Sequence, residues 1–167
     1  MSDASRQMRD KRLVFYADDV EKLDKYLGEF LKLSKAKCAM LIDKEGHMVT
    51  RVGEVHDLDL DTISALVAGS FAATKEMARL LGESEFTIMF HQGARDSIQL
   101  QLVGDRTLMA VLFDERTNMG LVRFYAQETS QHIEQILTEI AERSVDEQPS
   151  LSQDFSADAA AALDNLF

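Results

Sequence analysis

The sequence predicts an α/β sandwich of two or three layers, a single domain whose five-stranded, mainly antiparallel sheet carries helices on both faces. Three observations predict it. Three long segments repeat apolar residues at helical spacing, and five short apolar runs have strand character. Strand runs that follow one another are joined by turn-sized links, too short for the crossover a parallel pairing needs. The elements come in the order α-β-β-α-β-β-β-α.

Asp18 and Asp19 place carboxylates at the positive end of a helix dipole. Behind them Val20, Leu23, Leu27, Phe30 and Leu31 recur at helical spacing, so a first helix is expected over about 18–34. The apolar run CAMLI then ends in Asp43-Lys44-Glu45-Gly46, where glycine permits the positive φ of a tight turn, and HMVTRV follows as the return strand of a hairpin. After the acidic loop GEVHDLDLD a long helix is expected from about Thr62 to Leu81, with Gly82 as its stop. FTIMFH (86–91), SIQLQLV (97–103) and TLMAVLF (107–113) supply three more strands. In the middle one Ile98, Leu100 and Leu102 alternate with Gln99, Gln101 and Val103, as for a sheet with one less buried face. A last helix over about 118–143 is expected to bury Leu121, Phe124, Ile133, Ile136, Leu137 and Ile140.

The chain has 167 residues, 46% of them hydrophobic, which suits one domain with a sizeable core and excludes wholesale disorder. Its net charge of −11 argues against a nucleic-acid binder, which needs a clustered basic face. No apolar run approaches the ~20 residues of a bilayer-spanning helix, so no membrane insertion is expected. The start, MSDASRQMRDKR, lacks the apolar core of a signal peptide, and Cys38 is the single cysteine, so a cytoplasmic location is expected. Charge also divides the chain. Residues 1–12 carry four cations against two carboxylates, whereas residues 142–167 carry six carboxylates against Arg143 alone. The expected organisation is an N-terminal tail (1–12), a domain (13–143), a linker (144–155) containing Pro149, and a short C-terminal helix (156–167).

Projected at helical periodicity, the second helix separates into two sides. One holds Ile63, Leu66, Val67, Phe71, Met77, Ala78 and Leu81 and is expected to pack on the sheet. The other holds Ala65, Ala68, Ala72, Glu76 and Arg79, with Gly69 and Ala73 on its shoulder. An outward face in a chain that is 28% charged ordinarily carries long charged side chains, but here its first half is smooth. That smoothness fits a docking or dimer face; it also fits alanine used simply as the best helix former.

No complete active site is legible, so the protein is expected not to be an enzyme and to need no cofactor or metal. His47, His56, His91 and His132 share no metal-type spacing, and Cys38 has no neighbouring ligand. Phosphate-cradling and nucleophile-elbow motifs are missing. Asp57, Asp59 and Asp61 lack the glycine and bidentate glutamate of a calcium loop and suit a solvated loop leading into a helix. At the other end of the chain Ser156 can cap a short helix in which Leu163, Leu166 and Phe167 share one side. This hook suits a linear segment that orders on a partner, or one that folds back on its own domain.

The element order and several segments resemble the Roadblock/dynein light chain family, and within it the bacterial MglB branch, partners of the Ras-like GTPase MglA. The matching segments run from Leu13 to about Ser144: Leu13 to Tyr16, Ala68-Gly69, Leu81-Gly82-Glu83, Phe90 to Ser97, Phe113-Asp114, Arg116-Thr117 and Gly120 to Arg123. The ending Asp164-Asn165-Leu166-Phe167 matches as well. Lys75 and Glu76 depart from it, being bulkier than the small residues such helices carry there. The resemblance implies a homodimer joined edge to edge through the third strand, with the two second helices forming a platform for one Ras-like small GTPase. It implies a GTPase activator serving cell polarity or gliding motility that supplies no arginine finger and instead remodels the partner's switch region. The C-terminal helix would bind a second surface of the GTPase through Leu163, Leu166 and Phe167. A non-catalytic Roadblock adaptor and a small-molecule sensor are the alternative readings.

Overall fold

The computed structural model describes residues 13–54 and 56–164, with side chains described as far as residue 143. Its elements are α1 (Ala17–Ser34), β1 (Cys38–Asp43), β2 (Met48–Gly53), α2 (Leu60–Leu80), β3 (Ile88–Gln92), β4 (Ser97–Val103), β5 (Thr107–Phe113) and α3 (Met119–Asp164). The sheet order is β2-β1-β5-β4-β3, and all four pairings are antiparallel. The predicted α/β architecture and element order are those observed.

The helices divide between the two faces of the sheet. Leu23, Leu27 and Phe30 of α1 and Val122, Ala126, Ile133 and Ile140 of α3 pack on Ala39, Leu41, Met109 and Val111. On the opposite face Leu60, Val67 and Phe71 of α2 pack on Met40, Ile42, Leu100, Leu108 and Ala110. Alternate residues of β1 and β5 thus feed two cores, and both strands are buried almost throughout.

Local chemistry sets the ends of the elements. Asp19, in the first turn of α1, accepts a hydrogen bond from the Tyr16 backbone N–H at 2.9 Å, which satisfies a donor at the helix entrance. Gly46 turns the β1–β2 hairpin at φ 96°. At the end of α2 the Gly82 N–H reaches the Arg79 carbonyl and the Glu83 N–H the Ala78 carbonyl, with Gly82 at φ 81°, so glycine stops this helix as expected.

Three expectations are corrected. Gln99 and Gln101 are buried, not half-solvated, because α3 covers that side of β4 and Gln101 Nε2 donates to Ser130 Oγ at 2.8 Å. Leu121 and Phe124 are 42% and 64% exposed, because the first turns of α3 leave one side uncovered. The last helix does not stop near 143 but runs to Asp164 through the stretch expected as a linker. Pro149 falls inside this span, and only the backbone is described there.

Candidate partner-binding surface

Helix α2 is positioned from both ends. Asp59 caps its start, accepting from the Thr62 N–H at 3.1 Å and the Thr62 hydroxyl at 2.6 Å, and these bonds hold its carboxyl below the usual range. Near the other end the Thr74 hydroxyl lies 3.2 Å from Met89 Sδ, tying the helix to β3. Between them Leu60, Ser64, Val67, Ala68, Phe71 and Ala78 are buried.

Ala65, Ala72, Glu76 and Arg79 are exposed and Val67, Phe71 and Ala78 buried, as the helical projection expects, but four positions differ. Ala68 belongs inside: it is 6% exposed. A Cβ on Gly46 would meet the Ala65 Cα at 3.0 Å, the Ala68 Cβ at 3.6 Å and the Ser64 carbonyl at 3.6 Å. The backbone of the β1–β2 turn therefore rides directly on the first half of α2, and small residues at 65 and 68 admit it. Conversely Leu66, Met77 and Leu81, expected on the sheet, are 67%, 52% and 72% exposed, and Leu80 is 72% exposed.

The outward face is consequently a stripe of Ala65, Leu66, Gly69, Ala72, Ala73 and Met77, continued by Leu80. A Cβ on Gly69 would meet nothing within 4 Å, so the middle of the stripe is flat and open. Glu76 and Arg79 are also exposed, but they pair with each other, Arg79 Nε donating to Glu76 Oε1 at 3.0 Å. This bond lowers the carboxyl's pKa and raises the guanidinium's. These two charges offset each other, Lys75 is a further exposed charge beside them, and the uncharged surface next to them has a composition found where proteins meet.

A second uncovered region lies at the β3 side, the edge through which the resemblance implies a dimer. Among the described residues β3 pairs only with β4, which leaves its other edge unpaired there. Phe90 on it is 37% exposed and stacks on Phe113 at 5.8 Å, and Met119, Leu121 and Phe124 are exposed nearby in sequence on α3. Of the C-terminal hook, Leu163 falls where only the backbone is described, and Leu166 and Phe167 lie outside the described residues.

Other candidate groups separate. His91 is exposed on β3, and His132 stacks on Tyr26 at 5.0 Å. Asp43, Glu45 and His47 bring potential ligand atoms within 4.8 Å of one another, a grouping that alternate spacing in the hairpin turn could have signalled. The Asp43 carboxylate already accepts from the Glu45 and His47 backbone N–H groups at 3.0 and 2.9 Å, so its evident role is to shape the turn. Among the described residues no helix is long and apolar enough to cross a membrane.

Comparison with known proteins agrees with this geometry. The Roadblock/LC7 domain family matches residues 22–113, more than half of the chain. Gliding protein MglB of Thermus thermophilus is 33% identical, with a TM-score of 0.72, covering 76% of this chain and 96% of its own. MglB of Myxococcus xanthus is 35% identical, with a TM-score of 0.68, covering 71% of this chain and 96% of its own. An MglB with a tetrameric arrangement is 31% identical, with a TM-score of 0.74 and coverages of 77% and 96%. No curated protein matches in sequence. With its element order, its antiparallel sheet and this identity sustained over most of its described length, the chain belongs to the Roadblock/LC7 family.

Proposed function

We propose that this chain is a homodimeric regulator of a small Ras-like GTPase and acts as a GTPase activator. The observation that carries the reading is the outward face of α2, a flat apolar stripe on a strongly acidic protein, together with the likeness to MglB proteins. The unpaired β3 edge supports a dimer in which two sheets join and two α2 helices lie side by side, doubling the stripe. Ala65, Ala72, Glu76 and Arg79 lie on or beside that stripe, whereas Ala68 supports it from below.

The mechanism that suits such a surface is positioning. Arg79 sits in an exposed pair with Glu76, and the proposed mechanism draws on the partner's own residues rather than an arginine finger from this chain. Docking would press the partner's switch region into the arrangement in which its own residues reach the transferring phosphoryl group. Leu163, Leu166 and Phe167 would add a second contact on the GTPase. Single-turnover GTP hydrolysis by a Ras-like GTPase, measured with and without this protein, tests the proposal. Acceleration supports it, and unchanged rates with a GTPase that binds would instead select the adaptor reading.

A further inference from the structure

The β1–β2 turn gathers three side chains able to bind a metal. His47 shares no metal-type spacing with the other histidines, but two carboxylates of its own turn stand beside it. His47 Nδ1 lies 3.2 Å from Asp43 Oδ2 and 3.7 Å from Glu45 Oε2, and the three ligand atoms fall within 4.8 Å of one another. Zinc bonds to imidazole nitrogen and carboxylate oxygen are about 2.0–2.2 Å long, so ligand atoms around a tetrahedral ion stand about 3.3–3.6 Å apart. Both contacts of the imidazole match that spacing to within about 0.1 Å. Glu45, whose side chain is 66% exposed, can adjust its rotamer to complete the set.

The rest of the turn prepares these ligands. Shaping the turn occupies only Asp43 Oδ1, which accepts from the Glu45 and His47 backbone N–H groups, and leaves Oδ2 beside the imidazole. Outer hydrogen bonds of this kind orient the ligands of metal sites. All three side chains line one open cleft of ≈450 Å³, so an ion held by them keeps a further coordination position toward the cleft. The cations on that cleft have carboxylates of their own: Lys44 pairs with Glu85 at 3.1 Å and Arg106 with Asp105 at 3.7 Å.

We propose that Asp43, Glu45 and His47 form a binding site for one divalent transition-metal ion of the zinc type. One ring nitrogen with two carboxylate oxygens suits zinc better than calcium, which takes oxygen ligands in larger number. His47 binds through Nδ1 and carries its proton on Nε2, so the ion replaces the contact between the imidazole and Asp43. The bound ion also closes a chelate across the turn. The Lys44 N–H bonds to the Arg106 carbonyl at 3.1 Å and Gly46 lies against Ala65 and Ala68, so a stiffened turn steadies both the β4–β5 turn and the first half of α2.

The test is calorimetric titration of zinc chloride into the full chain, first stripped of metal with a chelator. One zinc should bind per chain. Asp43→Asn, Glu45→Gln and His47→Gln should each weaken binding at least about tenfold, the least that loss of even an outer-shell partner costs a metal site. Asp43→Asn keeps an oxygen for the two backbone N–H groups, so the turn survives in that variant. His91→Gln, on β3, should bind zinc as the parent does. Substoichiometric cobalt(II) should broaden the His47 imidazole NMR signals ahead of those of His56, His91 and His132, and zinc should slow amide exchange over 43–48. A dissociation constant above about 0.1 mM, adventitious surface binding only, overturns the proposal. So do ligand variants that bind as the parent does, another histidine broadening first, zinc displaced by excess calcium, or exchange that zinc leaves unchanged.

Discussion

Ala68→Arg and Ala72→Arg make a pair of perturbations with opposite outcomes, although both residues are alanines of one helix four positions apart. Ala72 is exposed on the outward stripe, whereas Ala68 is 6% exposed beneath the β1–β2 turn. At position 72 the arginine extends into solvent, and the melting temperature should stay within about 2 °C, since surface substitutions stay within about 0.5 kcal/mol. At position 68 the new side chain starts from a buried site beneath the Gly46 turn and must displace that turn to be accommodated. Overpacking of this kind costs about 1–3 kcal/mol and should lower the melting temperature by roughly 3–15 °C. Partner binding behaves differently. A long charged side chain at the centre of a flat apolar stripe holds the partner off, so Ala72→Arg should weaken GTPase affinity at least about tenfold. Differential scanning fluorimetry and titration calorimetry, run on both variants and the parent, separate the effects. An Ala72→Arg protein that binds a cognate GTPase as the parent does would refute the docking face. An Ala68→Arg protein that melts with the parent would refute the packing argument.

Four further outcomes are expected. Gly53 sits at φ 111°, and a Cβ there would lie 2.3 Å from the Lys37 carbonyl oxygen; Gly53→Ala should cost about 2–4 kcal/mol, and an unchanged urea midpoint would overturn this. Asp19 is held below its ordinary pKa of 3.8 chiefly by its hydrogen bonds from Arg143, so the stabilisation is present above that value and lost as pH falls through the folded pKa. Asp19→Asn should therefore lose about 1–2 kcal/mol at pH 7, a value reduced for the partial exposure of Arg143, and a gap that fails to narrow in acid would contradict the assignment. Cys38 is fully buried and burial pushes its thiol pKa up, so native protein should resist thiol reagents until it unfolds; prompt stoichiometric labelling would disprove this. Removing residues 145–167 leaves the core through Ile140 intact, so the melting temperature should stay within about 2 °C while GTPase affinity falls about tenfold; a large loss of stability would show that the segment belongs to the fold.

The strands were legible because their signals are local. Gly46 and Gly104, at φ 96° and 66°, mark hairpin turns, and alternation identifies β4. Pairing between β1 and β5 has no such marker, since the two strands lie far apart in sequence and meet only when the sheet is complete. The burial of Gln101 was hidden for the same reason: its hydrogen-bond partner Ser130 is 29 residues away. Periodicity in α3 gave a phase but not where along the axis the covering layer ends, so Leu121 and Phe124 were placed inside.

Helix α2 shows why the candidate site was half legible. A helical projection separates large residues from small ones and assumes that large apolar residues face the core. That assumption fails where a turn, as well as the sheet, packs on the helix. Here the β1–β2 turn lies close over Ala65 and Ala68 and buries Ala68, so at that position small size marks the inside. Leu66, Met77 and Leu80 are large and exposed, and in the proposed interface a second protein surface would cover them. The proposed docking face is thus not a smooth alanine strip that merely permits approach. It carries large apolar side chains able to contribute binding free energy when covered, at about 25 cal/mol for each Å² removed from water. Such a face is costly to leave in water. On a protein of net charge −11 the proposed interface would take this apolar stripe out of water, and that removal is the source of binding free energy the reading requires.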